Sequence, residues 1–327
     1  MIVEIVQPEI YAAPCGGLRN LRMSTVVQPV KSIVTDEPEP SKEIRVRLLW
    51  KVDELQMLPE LAIQALEVAK DPDCAVKEFT SLVERDMTLA SDMLRMANSM
   101  VYSRGVPILS LQQAVVRLGF RQCKNLILAS SAASLMTQLS VSEERVRQML
   151  WKHSFLTASI ASFLNRAMNL GFQGEEFSAG LIHDIGRMLL ALVEPAKFSF
   201  ADRLDFNEGD HDQQVAALQK ERDLLGTDHC TLGGWFIEYS GLPTSLAEVA
   251  RHHHGGAAKL SRTPLVALVA AADHMANHLQ TGKGPDAYDP QSNEAIQYLS
   301  QSRAQRMRMM EIVPAVMEDA LANSQML

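Results

Sequence analysis

Apolar residues recur every three or four positions over most of this chain. That is the repeat of helices that bury one side. Phe79, Leu82 and Val83 follow it, as do Leu89, Met93, Leu94, Met96 and Ala97. The apolar–polar alternation of half-buried strands is nearly absent, so the expected fold class is all-α. Turn chemistry divides the pattern. Leu58-Pro59 opens a helix, since proline suits a first turn, and Asp71-Pro72-Asp73 closes it. Gly105-Val-Pro107 is a turn. Ser110-Leu-Gln-Gln113 is a capping box ahead of Ala114 to Gly119, and a further helix is expected from Arg121 to about Met136. Ser140-Val-Ser-Glu143 caps a long helix to about Ala167, closed by Gly171.

The next helix carries Ser178 to Arg187 and ends near Val193-Glu194-Pro195. Residues 197–210 read as a polar loop and 211–225 as a short amphipathic helix. Asp228 caps a helix with His229 in its first turn, ending at Gly241. Leu242-Pro-Thr-Ser245 starts the helix that ends in His252-His253-His254. Thr263-Pro264 begins an alanine-rich helix over Leu265 to about Leu279. Gly282 to Pro290 is a loop, and the Met-rich remainder is helical. Residues 1 to about 42, with Pro8, Pro14, Gly16-Gly17, Pro29 and Asp-Glu-Pro-Glu-Pro40, read as an extended arm or linker.

Composition narrows the function. Hydrophobic residues make up 47% of the 327, enough for a sizeable core. The net charge of −8, without a basic block, argues against direct nucleic-acid binding. The four cysteines, Cys15, Cys74, Cys123 and Cys230, form no Cys-x-x-Cys, so neither a zinc knuckle nor a disulfide frame is expected. No apolar run suggests a signal peptide or a membrane span, and a cytoplasmic location is expected.

The chemistry centres on Ser178-Ala-Gly-Leu-Ile-His-Asp-Ile-Gly-Arg187. Adjacent His183 and Asp184 can present a nitrogen and an oxygen to one cation, a donor pair suited to zinc, iron or manganese. His153 precedes them; His229, His253, His254 and Asp273 follow. Singly, each has a plain structural reading: a core histidine, or a helix-end histidine facing the dipole. Asp273 on an alanine-rich helix needs a partner if buried. His229 in a first helical turn is favoured neutral, as a ligand must be.

In order, these residues resemble the HD superfamily of metal-dependent phosphohydrolases, which is helical and whose ligands run His, His-Asp and a late Asp. His-Asp-Ile-Gly-Arg is similar to the His-Asp-Ile-Gly-Lys of the HD-GYP phosphodiesterases, with Arg187 in place of lysine. In that branch further histidines supply additional metals, and His229, His253 and His254 match by order. After the histidine pair the chain reads Gly255-Gly-Ala-Ala-Lys-Leu260, without Gly-Tyr-Pro, so cyclic di-GMP hydrolysis is not expected. A second resemblance runs through Leu58-Pro-Glu-Leu61, Val83 to Leu89, Leu94 to Ser99 and Ile108 to Gly119, with Asp86-Met87 where that family usually has Asp-Pro. These stretches are similar to the HDOD family, bacterial signalling proteins of HD-related fold that have mostly lost catalysis. The resemblance extends from about Leu55 to Asp273.

The resemblances imply an arm (1–42), an amino-terminal helical lobe (43–140), an HD-like lobe holding the cluster (141–282) and a helical tail (283–327). They imply one or two divalent transition-metal ions, iron, manganese or zinc, held by His153, His183, Asp184, His229, His253, His254 and Asp273. The expected function is a signalling module whose partners are other signalling proteins. The alternative is a metal-dependent phosphohydrolase, with Asp184 and Arg187 catalytic and a nucleotide or phosphate-containing ligand at the metals. A homodimer is a further expectation.

Overall fold

Short polar side chains set the helix ends. The computed structural model describes residues 39–52, 64–65, 68, 75–98, 106–138, 144–202, 211–240, 242–255 and 260–324. The expected arm up to residue 38, the start of the helix opened by Pro59, its stop at 71–73 and the cap at 140–143 lie outside these residues. Among the described residues, all regular elements are helical.

Helix α1 spans Lys42–Val52 and α2 spans Val76–Val83. Helix α3, Met87–Ala97, starts where Asp86 accepts the N–H groups of Thr88 and Leu89, both at 3.0 Å. The cap therefore works with Met87 in the place proline usually takes. Asn98 closes α3 and grips the chain at Ile108, accepting its N–H at 2.7 Å and donating to its carbonyl at 2.8 Å. Helix α4, Leu111–Gln138, begins with the expected Ser110 cap, its Oγ accepting from Gln113 N at 3.2 Å, while Gln113 Oε1 reaches one residue further back and accepts from Leu109 N at 2.7 Å. It breaks at Gly119 (φ 81°, ψ 161°), a conformation that side chains disfavour, so the boundary expected there is real.

Helix α5 spans Glu144–Met168. Its left-handed closing residue is Asn169 (φ 55°) rather than Gly171, and Leu170 N donates back to Asn165 O at 3.1 Å. Asparagine tolerates this region better than other side chains do. The single helix expected through 178–193 is two: α6, Glu175–Ile182, and α7, Ile185–Val193, with His183-Asp184 at the break. The polar loop expected at 197–210 is corrected over its first residues, 197–201; residues 203–210 lie outside the described ones. Pro195 opens α8, Pro195–Ala201, which buries Phe198 and Ala201.

Helices α9 (His211–Leu225), α10 (His229–Tyr239), α11 (Thr244–His252) and α12 (Pro264–Gln280) follow as expected. The 282–290 stretch carries a 3-10 turn, Pro285–Ala287, and a second follows at Pro290–Ser292. Helices α13 (Glu294–Leu299) and α14 (Arg303–Ser324) complete the order.

Helix α5 is the spine. It is buried almost continuously from His153 to Asn165 and packs against α6, α12 and α14. Helix α10 packs between α7 and α11. Helix α1 seats on α7: Lys51 Nζ donates to Leu192 O at 2.6 Å, and Arg47 donates to Val193 O at 3.0 Å and pairs with Glu194. These basic groups meet carbonyls that a helix end leaves unbonded.

Candidate metal centre

Five elements bring their histidines and carboxylates to one buried point. His153 comes from the middle of α5, His183-Asp184 from the α6–α7 break, and His229 from the first turn of α10. His253 and His254 follow the end of α11, and Asp273 sits midway along α12. Breaking the helix at 183–184 lets neighbouring residues face the same point, which a continuous helix would turn about 100° apart.

Asp184 is the hub. Its Oδ1 lies 3.3 Å from His253 Nε2 and 3.4 Å from His229 Nε2. Its Oδ2 lies 3.6 Å from both His153 Nε2 and His183 Nε2. Asp273 Oδ1 is 3.0 Å from His153 Nε2 and 3.6 Å from His183 Nε2; Oδ2 is 3.9 Å from His254 Nδ1. Two donors each about 2.1 Å from one cation, at a tetrahedral angle, stand roughly 3.4 Å apart, so these separations are those of shared ligands. Each oxygen of Asp184 faces a different pair of imidazoles, so its carboxylate could contribute to more than one cation.

The outer contacts fix the tautomers. His183 Nδ1–H donates to Gly180 O at 2.8 Å, and His253 Nδ1–H donates to Ala250 O at 3.0 Å. Carbonyls only accept, so each Nδ1 carries a proton and Nε2 is the nitrogen left to face the cluster. Glu221 accepts from His229 twice, from Nδ1–H at 2.8 Å and from the backbone N–H at 2.7 Å. His153 Nδ1 lies 2.7 Å from Gln280 Oε1. His183 Nε2, His229 Nε2, His253 Nε2, His254 Nδ1 and Asp184 Oδ1 are buried without a hydrogen bond of ordinary geometry. Burying so many polar atoms without partners is costly, and a cation resolves that cost. The donor set fits a divalent transition metal.

Charge supports the same reading. Burial raises the pKa of Asp184, but the Arg187 guanidinium and the His183 ring outweigh it and hold the carboxyl well below its usual range. Asp273 is likewise held well below that range, burial being overcome by His153 and His183. Burial lowers His253, and burial with the adjacent His253 lowers His254 further. His229 goes the other way: burial opposes its proton, but Cys230 and the Glu221 carboxylate raise it well above the usual value. The Cys230 thiol is itself pushed up to about 11 by burial, so at neutral pH the Glu221 charge acts on His229. A cation on Nε2 can take that proton's place.

All seven expected ligand residues are therefore together. Arg187 is beside them, its Nη1 3.4 Å from Asp184 Oδ2 and its Nε 3.1 Å from Asp202 Oδ2. Sequence reasoning missed Glu221, Asp202, Gln280 and Cys230. Only Glu221 carried a signal: with Leu218 and Leu225 it lies on the buried stripe of α9, a carboxylate where the repeat wants an apolar residue.

The matched relatives agree with this fold. The chain is 21% identical to an HDOD domain protein of unknown function from Geobacter sulfurreducens, covering 87% of this chain and 99% of that one, with a TM-score of 0.62. A candidate phosphohydrolase from Shewanella amazonensis is 24% identical over 84% of this chain and 97% of its own, with a TM-score of 0.60. An uncharacterized Treponema pallidum protein is 22% identical over 74% of this chain, which spans less than half, 46%, of that relative. The HDOD domain model matches residues 55–255, and the chain belongs to the HDOD family.

Proposed function

We propose that this protein is a signal-transduction module that keeps its metal centre as part of its interior and acts by binding other signalling proteins. The supporting observation is the closure of the centre. Of the seven ligand side chains His254 is the most exposed, at 11%, and Asp184 is 3% exposed. Hydrolysis needs a phosphoryl group beside the metals, held within a few tenths of an ångström; a sealed ligand set favours a structural or regulatory ion. His153, His183, Asp184, His229, His253, His254 and Asp273 would hold one or two ions of iron, manganese or zinc.

The second reading, a metal-dependent phosphohydrolase, is favoured by Arg187. Its side chain is 16% exposed beside the Asp184 carboxylate, where it could meet phosphoryl charge arriving from outside. A bound divalent ion supplies Lewis acidity and lowers the pKa of a water to about 7. Asp184 and Asp273 would orient the set, and Asp202 would aim Arg187.

The test is incubation of Mn- or Fe-loaded protein with cyclic di-GMP, with Asp184→Ala as control and elemental analysis alongside. Bound metal without turnover is the expected result. Robust turnover abolished by Asp184→Ala would make this an enzyme first, and metal-free protein after purification and reloading would remove the centre from the reading.

A further inference from the structure

Cys230 is a ligand-type side chain inside the cluster that the His, His-Asp, late-Asp order does not contain. It follows His229 in the first turn of α10, opposite the end of α11 that carries His253 and His254. One ligand atom from each of His229, Cys230, His253 and His254 lies within 4.8 Å of the others. Two of these side chains are closed to solvent and aimed inward: His253 is 0% and His229 3% exposed, and neither Nε2 has a hydrogen bond. Cys230 is a free thiol, 4% exposed. No such group forms about the other buried thiol, Cys123, among the described residues.

The Asp184 carboxylate gives this group its place. His229 and His253 face Asp184 Oδ1, whereas His153 and His183 face Oδ2 with Asp273 beside them. The Oδ2 side offers only nitrogen and oxygen. Cys230 adds sulfur to the group that holds His229 and His253. Thiolate is a soft donor that favours zinc, whereas carboxylate and imidazole accept iron and manganese as readily. A cysteine bound to such a cation is a thiolate, as at other thiolate sites.

We infer that the centre is two unlike subsites sharing Asp184: a sulfur-containing, zinc-selective one formed by His229, Cys230, His253 and His254, and a nitrogen–oxygen one formed by His153, His183 and Asp273. This rests on the reading that the cluster holds metal. The zinc subsite ties α10 to α11 and leaves Asp184 Oδ2 for the second ion.

The experiment uses full-length protein loaded with zinc and, separately, with cobalt. Zinc X-ray absorption should show a sulfur neighbour at about 2.3 Å. Cobalt protein should show thiolate-to-metal charge transfer in the near ultraviolet. Both signals should vanish in Cys230→Ser. Zinc affinity should then fall by more than the roughly 10–100-fold that loss of a supporting partner costs. Iron or manganese occupancy should survive in Cys230→Ser and fall in His183→Ala. Metal bound in the wild type with only nitrogen and oxygen neighbours overturns the sulfur subsite and leaves the metal reading standing. So does a sulfur signal that persists in Cys230→Ser or Cys230→Ala. A wild type that binds no metal overturns both. Should the variants not fold, the wild-type spectra alone decide.

Discussion

Gly186 lies against the peptide carbonyl of His229: a Cβ at 186 would stand 1.9 Å from that oxygen and 2.9 Å from Gly233 N. Helices α7 and α10 can approach this closely only because residue 186 has no side chain. The approach brings His229 to Asp184, two residues before the glycine. Gly186→Ala must push α10 away. It should destabilise the fold by about 1–3 kcal/mol, as overpacked cores do, and reduce metal occupancy. Denaturant titration and elemental analysis check both, and a variant matching the wild type in each would contradict the close approach.

Glu221 holds His229 through the ring and the backbone at once. Glu221→Gln keeps an acceptor but loses the charge that favours Nδ1–H and the facing lone pair. Metal affinity should fall roughly 10–100-fold with little change in helix content. Calorimetric titration with zinc and with manganese, beside circular dichroism, measures this. Unchanged affinity for both ions would mean that Glu221 only buries the end of α9.

Asp184 meets one pair of imidazoles with each oxygen, and that geometry separates two kinds of loss. Asp184→Ala should empty the centre of metal. His183→Ala should reduce it sharply on the Oδ2 side, from about two ions towards one if both are filled. Elemental analysis of the two purified variants distinguishes them. Equal and complete loss in both would argue for a single ion ligated by all seven residues.

The metal-free protein should be most stable near neutral pH. His253 and His254 bind protons less readily folded than unfolded, so as pH falls below about 6.5 the unfolded state gains protons first and stability drops. His229 has the opposite sign: its contribution is full below about 6.5 and is lost as pH rises through its raised value. Asp184 and Asp273 act only in stronger acid, because their contributions persist until pH falls through their depressed values. Metal on His229 replaces the proton, so loaded protein should lack the alkaline decline. Melting temperatures between about pH 5 and 9 test this, and a flat metal-free profile would refute it.

The helical class and the seven residues that converge on one point were legible because both depend on residue type and order. Thr263, Ser110 and Asp228 cap their helices as expected, by hydrogen bonds to Val266, Gln113 and Thr231. The break at His183 was not legible. It falls inside an apolar run with neither glycine nor proline at the joint, and a packing arrangement sets it. Gln280 and Asp202 were missed for a related reason. Their partners, His153 and Arg187, are 127 and 15 positions away, and neither pairing leaves a mark on local pattern. Glu221 could have been found by asking why a carboxylate stands among Leu218 and Leu225.

The seat of α1 decides where this domain can be cut. Leu192 and Val193 end the helix that follows Asp184, and the residues that satisfy their carbonyls, Lys51 and Arg47, precede the family match at 55–255. On the other side, Asp273 and Gln280 follow it. A fragment trimmed to the match would lose a carboxylate from the centre and leave two peptide oxygens bare at the far end of α7. The unit that holds the centre is therefore longer than the matched segment 55–255, reaching from at least Lys42 to Gln280.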